Sequence, residues 1–198
     1  MTEQDWMSCA DPTPMLVFLG GKTSNRKFRL FACACCRRIR PLIRDKRSWQ
    51  AVEIAEEYAD GLADRHRLDE AAGGAREAKR QFMMPLHDLA SRAANAAQDA
   101  TRNSARSAAF NCMAQTSRAM NSQDTNHCNE AEIQRQVLLL RCIVGNPFRP
   151  TTLEPSWLNW SDGTVLKLAQ AIYDLRDYDC LPILADASKM LVALTKKS

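Results

Sequence analysis

The sequence predicts an all-α protein, an irregular bundle of about seven helices, and three observations carry that prediction. The chain of 198 residues holds only 7 glycines and 8 prolines, too little turn material for many short strands. Its middle is dominated by Ala, Arg, Gln and Glu, which favour helices, and is sparse in β-branched and aromatic residues. Apolar residues recur at three- and four-residue spacing in several segments, the period of a helix face. A composition of 45% hydrophobic and 25% charged residues suits one helical domain over 1–198. Within it we expect N-terminal helices (1–62), an Ala-rich hairpin or arm (63–128) and C-terminal core helices (129–198).

The elements follow in order. Thr13 as N-cap with Pro14 in the first helical position opens the apolar segment Met15 to Leu19, which Gly20 and Gly21 end. Ser24 caps a second helix reaching about Arg40, on which Phe28, Phe31, Cys35, Ile39 and Leu42 draw one apolar stripe. Pro41 kinks or ends it. A third helix starts at Asp45 or Ser48. Trp49, Val52, Ile54, Ala55, Tyr58 and Ala59 line its buried side, Glu53, Glu56 and Glu57 its wet side, and Gly61 closes it.

From His66 to Met120 large apolar residues are few. The segment reads as two helices, 66–83 and 86–120, the second long and weakly amphipathic, with Ala90, Ala94, Ala97 and Ala105, Ala109 at close-approach spacing. Alanines bury little area per turn, so this helix is expected to project or to wait for a partner. Asn129 and Glu132 give a capping-box-like start to the strongest core helix, with Ile133, Val137, Leu138, Leu140 and Ile143, stopped by Gly145. Ser161 or Asp162 caps a helix with Val165, Leu168, Ala169, Ile172 and Tyr173 inward. Asp179 caps a last one holding Leu181, Ile183, Leu184, Met190, Leu191 and Leu194, with Lys196 and Lys197 suiting its C-terminal dipole.

Three stretches resemble an uncharacterised paralogous family of planctomycete bacteria, the Gemmata group above all. They are Asp11-Pro12-Thr13-Pro14-Met15-Leu16, then Lys27 to Ile39 with its Cys33-Ala34-Cys35-Cys36-Arg37-Arg38 core, and Gly145-Asn146-Pro147-Phe148-Arg149-Pro150 through Asp162-Gly163-Thr164-Val165 to Leu181-Pro182-Ile183-Leu184-Ala185-Asp186-Ala187. Together they cover about half the chain. Family members continue past the last Asp-Ala with a Cys- and His-containing tail ending near a Trp; here Ser188-Lys189-Met190-Leu191-Val192 stands instead. The resemblance implies a bacterial origin and an all-α fold, and brings no activity with it.

Function classes narrow by exclusion. No stretch reaches the 18 or more apolar residues that span a bilayer, and the acidic N-terminus is unlike a secretory leader, so a cytoplasmic protein is expected. No Ser/His/Asp order, Gly-rich phosphate loop or H-E-x-x-H is present; His66, His87 and His127 lie in unrelated contexts. Neither an enzyme nor a cofactor is expected. Asp174, Asp177 and Asp179 crowd together as a helix end followed by an N-cap.

Three constellations are left. The 8 cysteines include Cys33, Cys35 and Cys36, whose adjacency spoils metal geometry; they read as small core-filling residues, with a metal site or a redox pair as alternatives. Cys112, Cys142, Cys180 and Cys128 beside His127 would join such a site only through the fold. The second constellation is basic. Residues 1–50 carry ten Lys/Arg against four Asp/Glu, and 51–100 six against ten. Arg26, Lys27, Arg29, Arg37, Arg38, Arg40, Arg44, Lys46 and Arg47 meet either the Glu-rich third helix, an acidic protein partner, or phosphates of a nucleic acid. No nucleic-acid-binding motif accompanies them. Phe148, Arg149, Trp157 and Trp160 among prolines form an aromatic loop, a lid over the core or a recognition surface. The function expected is a non-enzymatic accessory protein binding a larger protein partner, with nucleic-acid binding through 22–47 as the alternative. The oligomeric state stays open.

Overall fold

Thr2 and Asp5 start the chain as a helix. The Thr2 hydroxyl accepts from the Asp5 N–H at 3.1 Å and the Asp5 carboxylate accepts from the Thr2 N–H at 2.7 Å, a reciprocal capping box. The resulting α1 (Glu3–Ser8) was not expected from the sequence, and it buries Trp6. The computed structural model describes residues 1–81, 89–120, 130–149, 162–175, 180, 182–184 and 186. Among them are α2 (Pro12–Phe18), α3 (Asn25–Arg38), α4 (Lys46–Ala59), α5 (Arg65–Gln81), α6 (Leu89–Ala100), α7 (Ala105–Met120), α8 (Glu130–Val144) and α9 (Thr164–Leu175), and no strand. The protein is all-α. By its packing the chain forms two compact units, Met1–Arg149 and Pro150–Ser198. The residues expected as one C-terminal core thus divide, and α8 belongs with the first unit.

Local chemistry sets most boundaries. The cap of α2 is Asp11, whose carboxylate accepts from the Thr13 N–H at 2.8 Å; Pro12 holds the first helical position, so the helix starts earlier than Thr13 and Pro14 suggest. Ser24 caps α3 as expected. Beyond Arg38 the chain narrows into a 3-10 turn, Arg40–Leu42, at Pro41, and Asp45 then caps α4. At the end of α4, Leu62 N–H reaches the Glu57 carbonyl at 2.8 Å around Gly61, whose φ of 76° only glycine adopts freely.

The Ala-rich middle is not an arm. Its expected long helix is two, α6 and α7, broken where Thr101 and Ser104 offer the backbone local hydrogen bonds: the Thr101 hydroxyl donates to the Gln98 carbonyl at 2.7 Å and Ser104 accepts from the Ser107 N–H at 3.2 Å. Helix α7 packs on both α6 and α3, the most extensive contacts in the first unit. Ala93, Ala96, Ala97 and Ala100 of α6 and Ala108, Ala109 and Cys112 of α7 are fully buried. Small side chains let these backbones approach closely, and Phe31, Leu16, Leu19, Ile39, Val52 and Leu68 fill the space around them.

Helix α8 docks through polar as well as apolar groups. Val137 and Leu140 are buried and Ile133 and Ile143 half-buried, but Leu138, expected in the core, is 61% exposed. Glu132 and Gln136 are buried instead: Gln136 donates to the Met113 carbonyl at 3.2 Å and to Ser117 at 3.1 Å. The proposed cap Asn129 lies outside the described residues. In the second unit α9 follows Gly163, not Ser161 or Asp162; Ile172 is buried, while Val165, Leu168, Ala169 and Tyr173 are half-buried. The expected cap Asp179 and most of the last helix lie outside the described residues. No helix among the described residues is long and apolar enough to cross a membrane.

Candidate functional site

Pro41 makes a corner between α3 and α4, and the corner gathers charge. Arg40, Arg44, Lys46 and Trp49, with Ile43, Asp45, Gln50 and Glu53, line a surface pocket of about 390 Å3. Arg40 lies over the Trp49 ring, its Cζ 4.3 Å from the centroid, and Arg37 stands 5.3 Å from the same ring. Trp49 Nε1 donates to Glu53 at 2.7 Å, which fixes the indole. The apolar stripe assigns Trp49 to the core; the structure leaves it half-buried at this corner. Arg44 and Lys46 are exposed and make no side-chain hydrogen bond or ion pair among the described residues. Asp45 is engaged: Arg47 Nη2 donates to it at 2.8 Å, and that bond holds its carboxyl below the usual carboxylate range.

The other members of the basic run are consumed inside the molecule. Arg26 donates to Asp60 at 2.6 Å, at the end of α4. Lys27 Nζ donates to the Val144 carbonyl at 3.0 Å, at the end of α8, where cations suit the helix dipole. Arg37 grips Glu56 with two N–H groups, and this hydrogen bonding raises its pKa. Arg38 reaches Glu132 at 2.7 and 2.9 Å, and the Glu132 carboxylate is buried. Arg47 also donates to Gln81 at 2.9 Å. Arg29 departs furthest from a surface charge: it is 2% exposed and donates to the carbonyls of Ala100, Arg102 and Asn103 beyond the end of α6. The structure brings together Arg40, Arg44 and Lys46 from the run, and disperses the rest.

The thiols are internal. Cys33, Cys35, Cys36 and Cys112 are free and fully buried where α3 meets α7; Cys33 donates to the Val52 carbonyl at 3.7 Å and Cys112 to that of Ala96 at 3.2 Å. Burial pushes the thiols of Cys33, Cys35 and Cys112 well above their ordinary pKa, the reverse of what an activated cysteine needs. Among the described residues no group of three or more His, Cys, Asp or Glu is placed to hold a metal. His66 is exposed, 3.7 Å from Glu70. Cys128, His127, His87, Asp177 and Asp179 lie outside the described residues.

Half of the aromatic loop can be placed. Phe148 stacks on Phe18 with centroids 5.2 Å apart and planes at 14°, and Arg149 pairs with Glu3 at 2.6 Å. This end of the loop lies across α1 and α2 as a cover. Trp157 and Trp160 lie outside the described residues. Comparison with protein-family models, with curated proteins and with solved structures finds no match for this chain.

Proposed function

We propose that this chain is a non-enzymatic helical interaction protein that docks an acidic segment of a protein partner on the corner between α3 and α4. The observation that carries the reading is the contrast within the basic run. Seven of its nine cations donate to carboxylates or carbonyls of their own chain, Arg40 among them through the Ile43 carbonyl at 3.3 Å. Arg40, Arg44 and Lys46 face one pocket, and Arg44 and Lys46 have no partner among the described residues. A rigid aromatic flanked by arginines is the kind of anchor that protein interfaces favour.

Nucleic acid is the weaker fit. Tracking a phosphate backbone needs a continuous basic stripe, and here the stripe is interrupted by internal pairing and flanked by Asp45 and Glu53. Two guanidinium groups already approach the Trp49 ring, which reduces its access for base stacking. The test is fluorescence anisotropy with a Glu-rich peptide and with single-stranded DNA and RNA of matched charge. The peptide is expected to bind, with the double variant Arg44→Glu, Lys46→Glu weakening it about tenfold or more. Preference for the nucleic acids, or no peptide binding at low salt, would overturn the reading.

A further inference from the structure

We propose that the second half of α5, from Gly73 to Gln81, is a latch that opens from α4 and α6 as one unit while the first half stays folded. Of the 7 glycines in the chain, all but this pair have a steric reason. Gly21, Gly61, Gly145 and Gly163 have φ between 72° and 78°, and the Arg106 guanidinium lies 2.8 Å from where a Cβ on Gly20 would stand. Gly73 and Gly74 have neither. They sit at the centre of a 17-residue helix without positive φ; a Cβ on Gly73 would meet nothing within 4 Å, and one on Gly74 only Arg47, at an ordinary 3.6 Å. Each weakens the helix, because glycine loses more backbone freedom on folding than alanine does. The packing does not need that weakness; a hinge does.

The two halves of α5 are also held unequally. Before the glycines, the Asp64 carboxylate accepts from the Arg67 N–H at 2.8 Å, Leu68 is fully buried, and Arg67 pairs with Glu57 of α4 at 3.0 Å. After them, only the methyl groups of Ala75 and Ala78 are buried. The ion pair of Glu77 with Arg80 lies within the segment and moves with it. Among the described residues one side-chain hydrogen bond ties the segment to another helix, from Arg47 Nη2 to Gln81 at 2.9 Å. Segments that open locally are those with few buried apolar contacts, and this half is one.

The latch closes on Arg47, which both Gly74 and Gln81 face and which follows Lys46 at the start of α4. Opening releases one guanidinium N–H from Gln81, while Asp45 keeps its own hold on Arg47. Resting on the docking role proposed for the α3–α4 corner, the opened latch adds a donor beside the surface that an acidic segment would meet.

Amide hydrogen exchange of the full chain without ligand, read by NMR at several urea concentrations below the unfolding transition, tests the latch independently of the docking role. The amides of Ala75 to Arg80 are expected to share one rate, about tenfold or more above that of Asp69 to Ala72, with a shallower dependence on urea. Replacing both glycines, Gly73→Ala with Gly74→Ala, should slow the amides of Ala75 to Arg80 about 25-fold, from about fivefold for each glycine. One common rate and urea slope for both halves would overturn the proposal. So would rates that climb residue by residue toward Gln81, the mark of a fraying end, or rates unchanged in the double variant.

Discussion

Helix α6 buries six alanines and lies among α3, α4, α5 and α7, whereas α8, with Leu138, Leu139 and Leu140 in succession, turns Leu138 largely to solvent. Ranked by apolar area per residue, α8 would be central and α6 marginal. The order in the molecule is the reverse. Area buried per side chain decides how much one residue contributes, but backbone separation decides which helix can have neighbours on every side. A methyl group lets α6 come close to several helices at once, and the loss in area per contact is offset by the number of faces used. Helix α8 meets its neighbours along one stripe, and part of that stripe is ionic.

The ionic part gives the strongest way to break the comparison. Arg38→Met removes the guanidinium that pairs with the buried Glu132 carboxylate, and the expected cost is about 3–5 kcal/mol in urea unfolding. A loss under 1 kcal/mol would mean that apolar contacts alone hold α8. Next in size is a change on the methyl-lined side. Ala96→Leu forces a larger side chain between α6 and α7 and should cost about 1–3 kcal/mol. Because Cys112 donates to the Ala96 carbonyl, the same variant should speed alkylation of Cys112, which mass spectrometry after timed iodoacetamide treatment would read. The smallest effect belongs to the solvent side of α8: Leu138→Gln should change stability by no more than about 0.5 kcal/mol. A large loss there would show that this leucine is covered in solution.

Much of the fold was legible because caps and stripes are local. Ser24, Asp45, Gly61 and Gly145 stand where side-chain and backbone stereochemistry fix a helix end regardless of tertiary context. Helix α1 went unexpected although Thr2 and Asp5 have capping-box spacing, because a six-residue helix leaves no periodicity to notice. The centrality of α6 and the break at Thr101 to Ser104 were hidden for a different reason. Alanine spacing shows that close approach is allowed, and says nothing of which helices make it. The candidate site was legible as a set of charges and illegible as a surface. That Arg29 turns inward depends on a carbonyl 71 residues away in sequence, and no local pattern encodes that.

The guanidinium of Arg141 donates to the carbonyls of Trp6, Met7 and Cys9, at distances from 2.7 to 3.2 Å and across up to 135 residues of chain. Those carbonyls stand at the C-terminal end of α1, where a helix leaves acceptors unmatched. Such a pairing closes nearly the whole length of the first unit, and the entropy of closing a loop must be met before the contact stabilises anything. During synthesis α1 is therefore made long before the residue that fastens it, and until Arg141 arrives the chain must keep Trp6 waiting for its place.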